Sequence, residues 1–283
     1  MDEKQAQLEW EARAGRPAAA AAFAGAVVSL AAFAYSVASL PHTKGNKTKD
    51  FLPDLHNHSG AFIGSTIANS IALVLVAPVL YYLYRAAKFR RPQVPSVARG
   101  LAIAAPIALA LVQVVFLLNQ IDAADKFVAG AIKTNKHAED LVRTQTGVTA
   151  GLSLAGRVAV GFAFILISLN AMRAGLLSRF MGVLGIIIGA LFVLPLVVGP
   201  FIEVFWLGAL GLLFIGRWPS PAGRGPAWDA GEVVEWPTAQ SRMLAKQGAR
   251  EDAADAEPAP AEPQPQRSAS TRSRKRKKKK ARR

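Results

Sequence analysis

Asn69, Gln113, Arg157 and Glu203 stand inside or at the edge of long apolar stretches. Polar and ionisable side chains are costly there and often functional. Counting about 1.5 Å per residue along those stretches puts all four in the outer half of a bilayer, at one depth range. Ser65 lies one turn from Asn69, and Ser153 one turn from Arg157. An arginine and a carboxylate at one depth could build a polar cavity open to the outside, with Arg157 holding an anion and Glu203 as its partner or as a proton acceptor. Three plainer roles compete with that chemistry. Arg157 can snorkel to the outer head groups, and Glu203 can sit at a helix amino terminus, where the dipole favours a carboxylate. Asn69 and Gln113 can serve as interhelical hydrogen bonds worth about 0.6 kcal/mol each. An Arg157 to Glu203 ion pair with a purely structural role fits the spacing equally well.

The other residues with ligand chemistry are Asp54, His56 and His58 in PDLHNHSG. Imidazole and carboxylate suit Zn²⁺ or Cu²⁺, but three ligands in a loop without fixed spacing make a weak metal signature, and Asp54 and Asn57 read first as turn formers. The chain has no cysteine, so disulfides, thiolate metal sites and cysteine nucleophiles are excluded. No GxSxG, HExxH or phosphate-cradling glycine loop occurs, and no pair of intramembrane carboxylates. An enzyme is the least supported class, and no cofactor is implied.

The elements that must position these residues are apolar. Of the 283 residues 52% are hydrophobic and only 19% charged, and the charges fall mostly outside six long runs, as in an integral membrane protein. A span needs about 20 apolar residues, which gives helices at about 18–40, 61–84, 100–120, 153–177, 181–198 and 200–217, the last two joined as a tight hairpin at Gly199 and Pro200. The expected fold is all-α, an integral membrane bundle of six transmembrane helices with a disordered basic carboxyl-terminal tail. Residues 1–17 read as a cytoplasmic leader, with Pro17 in the first turn of a retained helix. Lysines and arginines in the connections favour both termini inside, with Tyr81, Tyr82, Tyr84 and Trp218 in an inner aromatic belt. Between the third and fourth spans, residues 121–152 carry apolar positions every three to four residues with a break near Thr134. That segment is either a protruding helical hairpin, the reading its mixed charges favour, or a helix lying on the outer surface.

After residue 217 the composition changes. Residues 217–237, RWPSPAGRGPAWDAGEVVEWP, read as an irregular strap of prolines and tryptophans against the inner face. A short helix follows to about residue 248, and residues 251–271 are expected to be disordered. The chain then ends RSRKRKKKKARR. Ten of the formal +15 charges sit in those twelve positions: Arg272, Arg274, Lys275, Arg276, Lys277, Lys278, Lys279, Lys280, Arg282 and Arg283. Such a block neutralises phosphates without sequence preference. Behind membrane helices its nearest polyanion is the inner leaflet, whose anionic lipid head groups contribute about 1 kcal/mol per basic residue; RNA or a ribosome is the other partner it could meet.

The stretch GALGLLFIGRWPSPAGRGPAWDAGEVVEWP resembles the end of an uncharacterised family of polytopic membrane proteins from high-GC Gram-positive bacteria. There the last helix runs into Gly-Arg-Trp-Pro and a Pro-Ala-Trp-acidic strap. The resemblance covers about residues 180–240 and implies topology without a mechanism. The expectation is therefore a multi-pass inner-membrane protein acting as a structural or accessory scaffold with a lipid-contacting tail. A small-molecule or ion carrier using the outer polar cluster, or a membrane tether for RNA or ribosomes, is the alternative.

Overall fold

In the computed structural model of the chain, the structure describes residues 3–41, 47–194, 200–218 and 224–236, with isolated positions 243, 244 and 247. Those residues form eight helices and, among the described residues, no strand: α1 (Glu3–Ser39), α2 (Thr48–Asn57), α3 (Ser59–Arg90), α4 (Val97–Ala129), α5 (Asn135–Arg173), α6 (Arg179–Val193), α7 (Phe201–Phe214) and α8 (Pro226–Ala230). Four of them, α1, α3, α4 and α5, are long and apolar enough to cross a membrane, which points to a membrane protein. Helices α6 and α7 are apolar but shorter. The short helix expected before residue 248 and the whole polybasic segment lie outside the described residues, apart from the isolated positions.

The long helices pack as neighbours in chain order, α1 on α3, α3 on α4, α4 on α5 and α5 on α6, and α7 closes the ring against α1. Trp206 of α7 fills the interior, with its ring 5.3 Å from Phe164 and its Nε1 donating to Met181 O at 3.0 Å. The perimeter is apolar, with exposed Val27, Ile71, Leu111, Phe162, Ile187 and Phe205. Where α5 meets α6 the backbones touch. A Cβ at Gly161 would fall 2.6 Å from Gly189 O, and one at Gly189 would fall 2.5 Å from Gly161 O. Along the same seam Gly185 lies against the Ser168 side chain, and Gly211 of α7 lies against the Phe23 ring, whereas Gly147, Gly151 and Gly208 face open space.

Three expectations are corrected. Helix α1 does not start at Pro17; it begins at Glu3 and carries Pro17 in its interior. Residues 3–16 are mostly strong helix formers, and a proline removes a single bond. Pro78 and Pro106 likewise sit inside α3 and α4. Tyr82 and Tyr84 are buried in the core and so cannot belong to an aromatic belt.

The third correction concerns residues 48–57, which form a helix in place of a histidine-bearing turn. Its Leu52 and Leu55 are fully buried in a second core with Leu117, Ala124, Phe127 and Ala138, and the Phe51 ring meets Phe62 edge-on at 5.8 Å. Burying two leucines contributes about 1.5 to 3 kcal/mol each, enough to offset the hydrogen bond lost at Pro53. This cap seats on the extended ends of α4 and α5, which run through residues 121–152 as continuous helices broken only between Ala129 and Asn135. Thr134 caps α5 by accepting from His137 N at 3.3 Å. At about 1.5 Å per residue α4 and α5 measure roughly 50 and 58 Å, against about 30 Å of hydrocarbon. The end bearing α2 is called the cap end below, and the opposite end the strap end.

A Gly189→Leu substitution places a branched side chain where the α5 backbone passes, so overpacking should cost about 1 to 3 kcal/mol. Thermal unfolding in detergent should show a clear drop in Tm for Gly189→Leu and almost none for Gly208→Leu. Equal Tm values for the two variants would contradict the close packing of α5 on α6.

Candidate functional site

The strap end is organised by one arginine that in the sequence is only one of several basic residues in RAAKFRR. Arg90 is the last residue of α3, and its side chain is wholly buried. Its Nη1 and Nη2 donate to Glu11 Oε1 and Oε2 of α1 at 2.5 and 3.0 Å, a bidentate pair. Nε donates to Ala227 O at 2.9 Å, Nη1 also to Ala86 O at 3.1 Å, and Nη2 reaches Trp228 O at 3.5 Å. A guanidinium has five N–H groups, so every donor has an acceptor. Glu11 is closed off as well, since Oε1 accepts from Gln7 Nε2 at 2.9 Å and its main-chain oxygen accepts from Tyr82 Oη at 3.1 Å. Removing one partner of a buried pair strands the other charge and costs about 3 to 5 kcal/mol.

Around this pair the strap is seated by Trp228. Its ring stacks on Tyr82 at 5.7 Å with 12° between planes and meets Phe214 at 6.2 Å. Its Nε1 donates to Leu176 O at 2.9 Å, in the turn between α5 and α6, and the Arg224 guanidinium lies over the ring at 5.0 Å. The strap therefore touches α3, α7 and the α5–α6 turn through Ala227 and Trp228, and it reaches α1 through Glu232, whose carboxylate lies 4.0 Å from Lys4 Nζ. Glycines make the approach possible. Gly175 has φ +76° and its α carbon lies against the carbonyl of Val234, and Gly225, φ +98°, lies under the Trp236 ring. Pro226 opens the one-turn helix α8, and Gly231 ends it in the left-handed region.

Chemically this constellation is a clasp. With all five donors committed, Arg90 has none left for a substrate, and Glu11 is neutralised in place.

The four polar residues near the cap end are not joined to one another. Asn69 is exposed and donates to Ser65 O of its own helix at 2.9 Å. Ser65 shares a 2.6 Å hydrogen bond with Ser36, which ties α3 to α1. Arg157 is exposed on the perimeter of α5, Glu203 lies half-buried in the first turn of α7, and Gln113 is half-buried on α4. Among the described residues no hydrogen bond or ion pair links any two of the four. Asp54, His56 and His58 also diverge. His56 Nδ1 pairs with Asp125 Oδ1 at 2.6 Å, His58 Nδ1 contacts Asp54 O at 3.1 Å, and no group of three metal-ligating side chains occurs among the described residues.

Of the pair, Glu11 left a trace in the sequence. The buried face of α1 runs Gln7, Glu11, Gly15, Ala18, Ala22, Gly25, Ser29, Ala32 at steps of three or four. The stripe of small residues extends backward through Glu11, which marks that carboxylate as facing the bundle.

No family model matches the chain, and no curated protein or solved structure does either.

If Gly175 is the seat of the strap, Gly175→Ala must lift it. The left-handed backbone disfavours a Cβ by about 1 to 2 kcal/mol, and the Val234 carbonyl blocks it. Chymotrypsin cleavage near Trp236 should accelerate about tenfold, since proteolysis follows the open population. An unchanged rate would show that the strap does not rest on Gly175.

Proposed function

We propose that the chain is a multi-pass membrane scaffold of six spanning helices that holds its strap, and the basic segment following it, at the inner face of a cell membrane. The observation that carries this reading is the Arg90 clasp. An ion pair with Glu11 holds the buried guanidinium in place, and two of its five hydrogen bonds end on carbonyls of the strap, residues 224–236. Such an arrangement suits a protein whose role is to present a segment in a fixed place.

The six-span topology draws on α6 and α7. At 15 and 14 residues they are about 22 and 21 Å long, short of the hydrocarbon thickness, but they expose Phe180, Val183, Ile187, Phe201 and Phe205 on the perimeter as a lipid-facing helix does. Local thinning of the bilayer accommodates spans of that length at modest cost. Orientation follows the basic residues. The strap end carries Arg13, Arg16, Arg85, Lys88, Arg91, Arg99, Arg173, Arg179 and Arg217, and the segment continuing from Trp236 adds the polybasic run. The positive-inside rule then places the strap end and both termini in the cytoplasm and the cap outside. The ten basic residues of 272–283 favour the anionic inner leaflet over free RNA, because tethering behind the strap raises their effective concentration at the head groups.

The absence of cysteine makes single-cysteine reporters clean. With membrane-impermeant maleimide, Lys136→Cys should label in intact cells and Asp229→Cys only after permeabilisation; the reverse pattern overturns the orientation. In nanodiscs, a fluorophore at Ser273→Cys should be quenched by head-group quenchers when phosphatidylglycerol is present and released by high salt. Equal quenching in neutral lipid, or salt-sensitive RNA co-purification in its place, would overturn the lipid-contacting role.

A further inference from the structure

One residue after Arg90 the chemistry reverses. Arg91 lines a cleft of about 470 Å³ at the strap end together with Arg173, the last residue of α5, and Arg179, the first of α6. The walls are Met172, Leu177, Val183 and the strap residues Glu235 and Trp236. Three guanidinium groups from three helix ends thus face one space, opposed by a single carboxylate. None of the three makes a hydrogen bond or ion pair to another described residue, whereas all five donors of Arg90 are engaged. Like charges gathered this way repel, and an anion that accepts from several of them relieves the repulsion. Arginine's planar fork matches the oxygens of a phosphate in a bidentate manner.

The start of α6 adds to the same charge. Ser178 Oγ accepts from Met181 N at 3.3 Å, which leaves the N–H groups of Arg179 and Phe180 without an intrahelical acceptor, at the positive end of a helix dipole. The surface leading away from the cleft is apolar. Val183 and Ile187 follow Arg179 at intervals of four, and they are 48% and 42% exposed. A basic head site continuing into an exposed aliphatic track along a helix has the shape of a phospholipid, with phosphate at one end and acyl chain along the other.

We infer that the cleft formed by Arg91, Arg173 and Arg179 binds the phosphodiester head group of an anionic glycerophospholipid, whose acyl chain lies along Val183 and Ile187 of α6. The inference rests on the strap end facing a lipid leaflet, as proposed above, but not on the polybasic tail. The bound lipid bridges α3, α5 and α6 beneath the strap, so it acts as a structural ligand that stabilises the docked strap.

The test uses the full chain purified in mild detergent, with phosphatidylglycerol, phosphatidylcholine and soluble glycerol 3-phosphate as probes, read by native mass spectrometry and thermal shift. The wild type should retain phosphatidylglycerol through delipidation and gain Tm when it is added back. A chain lacking 272–283 should behave the same, which separates this site from the tail. Arg173→Gln/Arg179→Gln should lower retention about tenfold and abolish the Tm gain, while Arg173→Lys/Arg179→Lys should recover part of both. These side chains are exposed, so the lipid-free Tm of the variants should match wild type. Equal retention of phosphatidylcholine, retention unaffected by the glutamine pair, or loss of all retention on removing 272–283 would each overturn the site. A Tm gain from glycerol 3-phosphate without phosphatidylglycerol binding would reassign it to a soluble phosphate and overturn the lipid proposal.

Discussion

A guanidinium with five donors has to find five acceptors before it can be taken out of water, and at Arg90 that requirement organises the strap end. Two acceptors come from one carboxylate on α1, one from α3 itself and two from backbone carbonyls of the strap. No single helix could supply them. The charge therefore specifies an arrangement: α1 must run on past its apolar stretch to deliver Glu11, and the strap must fold back to deliver Ala227 and Trp228. Buried ion pairs add little net stability over apolar packing; what this one contributes is a unique position for segments that otherwise have little to bury.

The two ends of the molecule solve different problems. At the cap end, the extended ends of α4 and α5 are covered by α2 over an apolar core of three leucines, a phenylalanine and two alanines. At the strap end the polar chemistry is interior, and aromatic rings shield it: Trp10, Tyr82, Phe214 and Trp228 form one cluster, with Arg85 3.9 Å above the Trp10 ring. Low dielectric within that cluster strengthens every hydrogen bond it encloses. Arg90 and Arg91, adjacent in sequence, thereby acquire opposite characters, one fully committed and the other facing an open cleft.

Part of the helical layout was legible in the sequence because apolar length is a direct readout of hydrocarbon thickness; the all-helical fold and its four long apolar helices follow from it. Helix α2 was hidden by Pro53, Asp54 and Asn57, each a turn signal locally, and overridden by burial of Leu52 and Leu55 against partners some 70 residues away. The polar residues Asn69, Gln113, Arg157 and Glu203 drew attention because they interrupt apolar runs, yet depth along a helix says nothing of azimuth, and the structure leaves them apart. Glu11 and Arg90 escaped notice for the converse reason. They lie in charged flanks where burial is unexpected, and only the face shared by Glu11 with the small-residue stripe of α1 pointed inward.

A double-mutant cycle on Glu11 and Arg90, followed by equilibrium unfolding in mixed micelles, tests the clasp most directly. Glu11→Met and Arg90→Met should each cost about 3 to 5 kcal/mol by stranding the partner charge. The double variant should lose no more than the worse single, because no unpaired charge remains. Costs that add to within about 0.5 kcal/mol would mean the two residues act independently, and the clasp would not be what holds the strap in place.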